Sequence, residues 1–551
     1  MRMMLGARHA VAYAAMGLFV VYAIDVPMAF GQTSRKSSGD LATASAAPPA
    51  PKHLDITDFR IEGVKLLSQA EVETAVYPFV GPDRTTDDVE KARAALEKVY
   101  NAKGYQTVAV QIPPQTVRGG VVTLKAVEGT VGRLRVKGSR YFSLDAIKED
   151  APSLAEGRVP NFKDVQRDIV ALNQLPDRRV TPALRAGVAP GTVDVDLNVD
   201  DKLPLHASVE YNNRFSADTT QTRINATIHY DNLWQLGHSL SFSYQVAPQR
   251  PSDAQVYSGS YLARIPGVNW LGILAYGVKQ DSDVSTIGDV NVAGRGEIIG
   301  ARAVMTLPYE DGFFHTISIG PDYKHFEEGV SLSGQTVQAP ITYYPLTASY
   351  SATWIQDTAS TQFDLTAVMH LRGLGSDPTA FDTKRFKASG DFFYLRGDLS
   401  RTQELPLGLQ GFAKLQGQVS GTPLVSAEEL SGGGLDTVRG YLESEVLGDS
   451  GILGTLELRS PYLPGLIGKT ADKSFIDDWR IYAFADGGTL SINEPLPNQI
   501  SVFNVASIGG GSHIKLFHTL NGSVDVGVPL ISQTSTTAHS VRTTFRIWVE
   551  F

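Results

Sequence analysis

Arg439 stands in a long stretch bracketed by glycines, from Gly432-Gly433-Gly434 to Gly448-Asp449-Ser450-Gly451, between segments that read as β-strands. A guanidinium forks onto a planar acceptor and is costly to leave unpaired away from bulk water, so a cation at the tip of such a loop calls for a carboxylate. One candidate lies about forty-five residues on, inside a strand, as Asp486 in Phe484-Ala485-Asp486-Gly487-Gly488. What these two residues can do together is bind, fastening a loop to a wall. Bond-making chemistry finds less support. Gly448-Asp449-Ser450-Gly451 has the form of a serine-nucleophile segment, yet no His and Asp stand in a context that would build a triad around Ser450, and the segment is expected to close the loop. Ser512 and His513 are adjacent on a strand and so point to opposite faces. The 11 histidines show no H-E-x-x-H spacing and no phosphate-binding loop occurs, so no catalytic residue, metal site, nucleotide or other cofactor is expected.

The elements that must position such a loop follow from composition. At 551 residues the chain is long enough for two to four domains. It holds 52 Gly and 21 Tyr with only 19% charged residues, and its 42% apolar residues are spread out. Beyond the N-terminus no apolar run reaches the ~18 residues a membrane helix requires, which leaves a soluble protein or a membrane-spanning β-barrel. A net charge of −9 argues against a nucleic-acid partner. Cysteine is absent, which excludes disulfides and thiolate metal sites and suits a chain that crosses an oxidising compartment unfolded.

Residues 1–31 carry Arg2 and Arg8, the apolar Ala10 to Ile24, and then Ala29-Phe30-Gly31, the pattern of a cleaved secretory signal. Residues 32–52, rich in Ser, Ala and Pro, are expected to be a linker. From Leu54 to Asp201 the chain repeats at an offset of about 75 residues, Phe59-Arg60-Ile61-Glu62-Gly63 against Leu134-Arg135-Val136-Lys137-Gly138. In the first copy Ser68-x-x-Glu71 is a capping box that opens a helix, and Ser143 starts its counterpart. The second helices place Val89, Ala92, Leu96 and Val99, and Phe162, Val165, Ile169 and Leu172, on single buried stripes. Each copy closes on an alternating strand, Val121–Val127 or Val193–Val199, giving the order β-α-α-β-β twice. A small sheet covered by helices on one side leaves an edge strand that can take up an extended peptide by β-augmentation.

Beyond Pro204 no further convincing helix is expected, and alternating runs take over: Leu205, Ala207, Val209 and Tyr211, then Ile224 to Tyr230, and at the end Phe545, Ile547, Val549 and Phe551. Closing such strands into a barrel removes the edges that a sandwich would leave open. About 347 residues remain from Leu205 on, so sixteen strands of ~10 residues use about half of them, and fourteen or eighteen also fit.

Val438-Arg439-Gly440-Tyr441 with Phe484-x-Asp486, together with Tyr211-Asn212-Asn213-Arg214, Tyr230-Asp231-Asn232-Leu233-Trp234 and Gly237-His238-Ser239-Leu240, resembles the two-partner secretion transporters of the hemolysin-activator type. The resemblance implies a mixed fold: two periplasmic α/β POTRA domains, 53–130 and 131–203, then a sixteen-stranded antiparallel transmembrane barrel, 204–551, with an inward-folded loop around 420–451. It implies that Val438, Arg439, Gly440 and Tyr441 tip that loop and gate the lumen, that Phe484 and Asp486 are its partners on the wall, and that the final aromatic, Phe551, serves outer-membrane targeting. It further implies a Gram-negative outer-membrane pore, not an enzyme, that secretes an unfolded partner exoprotein, a large β-helical adhesin or cytolysin, without nucleotide hydrolysis. Outer-membrane lipid, the barrel assembly machinery and periplasmic chaperones are the other implied partners. The rivals are a barrel-assembly insertase of the same superfamily and a diffusion porin.

Overall fold

A computed structural model describes residues 53–551 apart from positions 283, 288–289, 294, 309, 311, 328, 333–334, 464–474 and 498. The expected signal peptide, 1–31, and linker, 32–52, lie outside the described residues. The chain divides into two compact units, one ending at Leu203 and the other running from Pro204 to Phe551.

The first unit holds the two repeats, each with its own core. In the first, Val121–Glu128 is the central strand, parallel to Asp58–Glu62 and antiparallel to Val108–Gln111. The second repeats this order, with Thr192–Asp201 between Thr130–Lys137 and Arg178–Ala186. Helices Gln69–Val76 and Thr86–Ala102 cover one face of the first sheet, and Leu144–Glu149 and Phe162–Leu172 cover the second. Ser68 opens the first helix with its amide on the Glu71 carboxylate at 3.0 Å. The stripe of the second helix runs Val89, Ala92, Leu96, Tyr100, so the fully buried anchor at its end is Tyr100, while Val99 is only half-buried.

One device recurs in both repeats. The glycine that ends the first strand, Gly63 or Gly138, has φ +83° or +88°, and a Cβ there would lie 2.3 Å from the Ala126 carbonyl oxygen or 2.4 Å from that of Val199. Only glycine lets the turn come that close. The amides beyond the turn are then gathered by a carboxylate at the end of the central strand. Lys65 and Leu66 donate to Glu128 at 2.8 and 3.0 Å, and Arg140 and Tyr141 donate to Asp201 at 2.8 and 2.9 Å. The Tyr100 hydroxyl completes the first clasp at 2.9 Å and the Ser139 hydroxyl the second. The central strand of the second sheet is covered on its polar face too, because Arg135, Lys137 and Arg185 converge on the buried Asp196.

The second unit is a closed antiparallel barrel. Its strands are Leu205–Asn212, Arg223–Leu233, His238–Val246, Ala254–Ile265, Val268–Ser282, Gly296–Thr306, Phe313–Phe326, Ile341–Gln356, Ala359–His370, Phe392–Glu404, Gln410–Ser420, Ser450–Arg459, Ile476–Ser491, Val502–Leu516, Leu520–Pro529 and Arg542–Glu550, sixteen in all. The eighth is broken at Tyr344-Pro345, between Ile341–Tyr343 and Leu346–Gln356, since proline cannot donate to the ladder; both pieces pair with Phe313–Phe326. The polarity is that of a membrane barrel: Leu205, Val209, Tyr211, Leu240, Phe242, Leu456 and Ile547 face outward, while Arg302, Asp322, Gln418, Asp486 and Asp525 are buried inside. Apart from the connection 460–475, turns are short at the end where the first strand begins and the last finishes, and long loops stand at the other, including 371–391 and 421–449.

One expectation fails here. A helix, Pro378–Lys384, sits in the loop 371–391, capped by Asp377, which accepts the Ala380 amide at 2.9 Å. At seven residues it is too short to display a helical period in the sequence, and it is held by one buried ring, Phe381, against Tyr343 and His370.

The Asp201 clasp sets an acid limit on the second repeat. Burial works to raise the Asp201 carboxyl, but the bonds from Tyr141, Arg140 and Ser139 prevail and hold it below its ordinary value. Its contribution is therefore present above the unfolded value of about 4 and is lost as the pH falls through the lower folded value. Asp201→Ala should destabilise a fragment of residues 53–203 by about 2 kcal/mol in urea unfolding at pH 7, and by progressively less below pH ~4. An unchanged urea midpoint at pH 7 would contradict this account.

Candidate functional site

The loop 421–449 leaves one strand at Ser420 and returns at Ser450. Its two arms form a short hairpin, Leu430–Gly432 with Val446–Gly448, and the tip between them carries Val438 to Tyr441. Two anchors fix its base. The Glu428 carboxylate, 1% exposed, accepts the hydroxyls of Tyr343 and Tyr394 at 2.6 and 2.7 Å and pairs with Lys324 at 2.5 Å. Asp449, fully buried, accepts the amides of Leu424 and Asn493 and pairs with Arg385. The Ser450 hydroxyl is spent on the Ser420 backbone.

The tip is fixed on other strands. Arg439 donates from Nε to one oxygen of Asp486 at 2.8 Å and from Nη2 to the other at 2.9 Å, a two-pronged pair, and its own amide reaches the same carboxylate at 3.1 Å. Nη1 goes to Glu457 at 2.7 Å, with Asp525 at 3.5 Å. Beneath the guanidinium lies the Phe484 ring, 3.5 Å from Cζ to ring centroid, so the cation is held from the edge by carboxylates and from below by a π face. The ring can lie there because its cross-strand neighbour is Gly509, where a Cβ would come within 2.4 Å of it. Tyr482, likewise opposite a glycine, Gly511, donates its hydroxyl to Asp525 at 2.8 Å.

The other tip residues pack or bond. Val438 is fully buried in a cluster with Leu430, Tyr441 and Val446 of the loop and Leu453, Leu490 and Val505 of the wall. The Tyr441 hydroxyl donates to the carbonyls of Ile531 at 2.7 Å and Ala506 at 3.1 Å. Gly440 has φ +95° and lies against Gly527 and Pro529. Beyond the tip, Glu443 pairs at 2.9 Å with Arg214, which also bonds Asp436. The loop thus touches strands to either side of its own origin in the wall, those around residues 324, 343 and 394 at its base and those around 457, 486, 506 and 525 at its tip.

Residues 191–513 match the family described as haemolysin secretion/activation protein ShlB/FhaC/HecB, and residues 54–129 match the ShlB-type POTRA domain. The chain belongs to the ShlB/FhaC/HecB family. It is 20% identical to the outer membrane transporter CdiB of Dickeya dadantii over 78% of this chain and 76% of that one. With the hemolysin transporter protein ShlB of Serratia marcescens the identity is 21%, over 82% of each. The solved structure of CdiB from Escherichia coli superposes with a TM-score of 0.66 at 18% identity, over 93% of both chains, which is a likeness of fold. Family membership makes this an outer-membrane secretion transporter of the two-partner type, with POTRA domains in the periplasm, and sets it with exporters of secreted partner proteins rather than with barrel insertases or porins. The beginning of the first barrel strand and the end of the last then lie at the periplasmic end.

The sequence pointed to one acceptor for Arg439, and the structure presents three carboxylates. Glu457 and Asp525 escaped notice although each occupies an inward position in an alternating strand, the signal that could have found them. Arg214 was noted only as part of a strand-end motif, yet it is the second cation that seats the loop. Next to it, Asn213 continues the barrel seam with its side chain, its amide nitrogen on the Thr543 carbonyl at 2.9 Å and its oxygen accepting from Phe545 at 2.7 Å. The Phe551 ring stands exposed at the end of the last strand, and its amide donates to the Ala207 carbonyl at 2.9 Å.

A side chain at position 440 would face both a positive φ and the Pro529 backbone nitrogen at 3.2 Å. Gly440→Ala should therefore unseat the tip at a cost of about 1 to 3 kcal/mol. Because the chain has no cysteine, Val438→Cys provides a single thiol to follow. Its labelling by a maleimide should be slow in the parent and about tenfold faster or more with Gly440→Ala, and equal rates would show that the tip tolerates a side chain there.

Proposed function

We propose that the two periplasmic repeats take up an unfolded partner exoprotein, that the barrel lumen conducts it outward without nucleotide hydrolysis, and that the loop 421–449 is the gate. The observation that carries this is the placing of the loop. It folds into the lumen, and beside the Val438 cluster its tip is held by polar contacts: the Arg439 fork on Asp486, the Glu457 bond and the Tyr441 hydroxyl. Such contacts can be exchanged for water, or for the backbone of a passing chain, at far smaller cost than an apolar core can be opened.

The edge strands of the repeats offer unpaired backbone to an extended client, which is how a chain not yet folded can be held without reading its side chains closely. One of these edges, Arg178–Ala186, carries Pro182 in mid-strand, which argues against it as the docking edge, since proline blunts strand addition. The client we infer is a large β-helical adhesin or cytolysin. Such a protein gains stability strand by strand as it emerges, so folding outside supplies direction where the barrel has no nucleotide to draw on. Phe551, at the end of the last strand, would serve recognition by the barrel assembly machinery after periplasmic chaperones deliver the chain.

Arg439→Ala should abolish export of the partner while the barrel remains inserted and heat-modifiable on gels. The variant leaves Asp486 uncompensated, worth on the order of 3 to 5 kcal/mol where the site is dry. Normal secretion by that variant would remove the loop from the pathway. The driving force is tested separately: a client altered so that it stays soluble but cannot fold outside should accumulate in the pore, and undiminished release of that client would mean that folding supplies no direction.

A further inference from the structure

The luminal face of the first two barrel strands carries a cluster that the export mechanism does not use. On the strand Leu205–Asn212 the outward positions are apolar, so His206 points inward, and it is paired in register with His229 on the neighbouring strand Arg223–Leu233. Their rings stack at 4.7 Å with an interplanar angle of 21°. Asp231, two positions along the same strand and on the same face, approaches His229 Nε2 at 3.3 Å. Among the described residues this is the one group of three His, Asp or Glu side chains whose ligand atoms all lie within 4.8 Å of one another, and all three are half-buried. The cluster stands at the periplasmic mouth of the lumen, beside the turn at 234–237.

We propose that His206, His229 and Asp231 form a site for a divalent transition metal, with Zn2+ the best fit. Two imidazoles and one carboxylate select borderline cations over magnesium and calcium, which prefer all-oxygen shells. Three protein ligands leave a position for water, and in a tetrahedral shell with Zn–N near ~2.0 Å the ligand atoms stand roughly 3.3 Å apart, so binding draws the three side chains closer than the 4.8 Å within which they now lie. The carboxylate is already oriented from outside the site, because the Ser239 side chain on the next strand hydrogen-bonds it, the kind of support that ligands of bound metals receive. The histidines are far apart in the chain and meet only across the strand ladder, which is why spacing in the sequence gives no sign of them.

The site has a mechanical consequence. The first strand is in register with the last over five pairs, Asn212 to Ser208, and with the second over eight, Asn212 to Leu205. A metal held by His206 and His229 would clamp the first strand to the second at its periplasmic end, so that any parting of the barrel wall is directed to the seam with the last strand.

The test uses the full chain purified in detergent and titrated with Zn2+ against a chromophoric chelator. One zinc per chain should bind, an excess of Mg2+ should not displace it, and the thermal midpoint should rise with zinc. His206→Ala, His229→Ala and the isosteric Asp231→Asn should each weaken binding by about tenfold or more while the barrel stays heat-modifiable. His518→Ala, at an exposed histidine beside Asp477, should leave binding unchanged. The proposal is overturned by the absence of saturable binding, by displacement with magnesium, or by binding that survives the paired substitution of His206 and His229.

Discussion

A charged loop tip cannot be left unpaired inside a protein wall, and the placing of Arg439 follows from that constraint. A buried guanidinium has five donors to satisfy. Here the wall is built to receive them: two carboxylate oxygens of Asp486, one of Glu457, Asp525 close by, and a phenyl face below. Two of these carboxylates are in turn tied elsewhere, Glu457 to Arg459 at 2.6 Å and Asp525 to the Tyr482 hydroxyl. The strand glycines opposite Phe484 and Tyr482 serve the same end by giving those two rings room to lie along the sheet. The features of this part of the wall are explained together once the cation is taken as given.

The loop has two kinds of attachment. Its base is apolar and aromatic as well as ionic, with Leu424 and Val425 packed among Phe326, Tyr343, Phe381 and Phe392, and Glu428 buried among them. Its tip rests mainly on ion pairs and hydrogen bonds, with a smaller apolar cluster around Val438. Water replaces polar contacts more readily than it opens an apolar core, so the arrangement favours release of the tip about a retained base.

Much of this was legible in the sequence. The β-α-α-β-β repeat showed because helices with single stripes and glycine turns recur at one offset, and the barrel showed because an outward apolar face and an inward polar face force a period of two. What stayed hidden is whatever depends on strands meeting across the lumen or across a ladder. Glu457 and Asp525 are ordinary inward carboxylates until Arg439 arrives between them, and the carboxylates Glu128 and Asp201 read as strand-end residues until their strands run back beside the glycine turns. Tyr100 was passed over because the stripe was continued at Val99, and its partner, Glu128, lies on another strand. The helix at 378–384 was too short for its period to register, and the eighth strand, broken by Pro345, is one strand only in register.

The seam of the barrel shows the same economy as the loop tip. Between the first and last strands the ladder is short, and the contacts that supplement it are made by side chains: the Glu210 carboxylate on the Arg546 guanidinium at 2.6 Å, and the Asn213 amide standing in for a further pair of backbone groups. Arg214, next in sequence, pairs with Glu443 and Asp436 of the luminal loop. The segment that extends the seam beyond the first strand is therefore also one that holds the loop, and the two are coupled through the adjacent residues Asn213 and Arg214. Displacing the loop releases Arg214 from its carboxylates, which removes a restraint from the very residues that extend the seam. Lifting the tip would therefore loosen the end of the first strand, whereas the outward apolar belt, untouched by either contact, keeps the remaining strands in the bilayer.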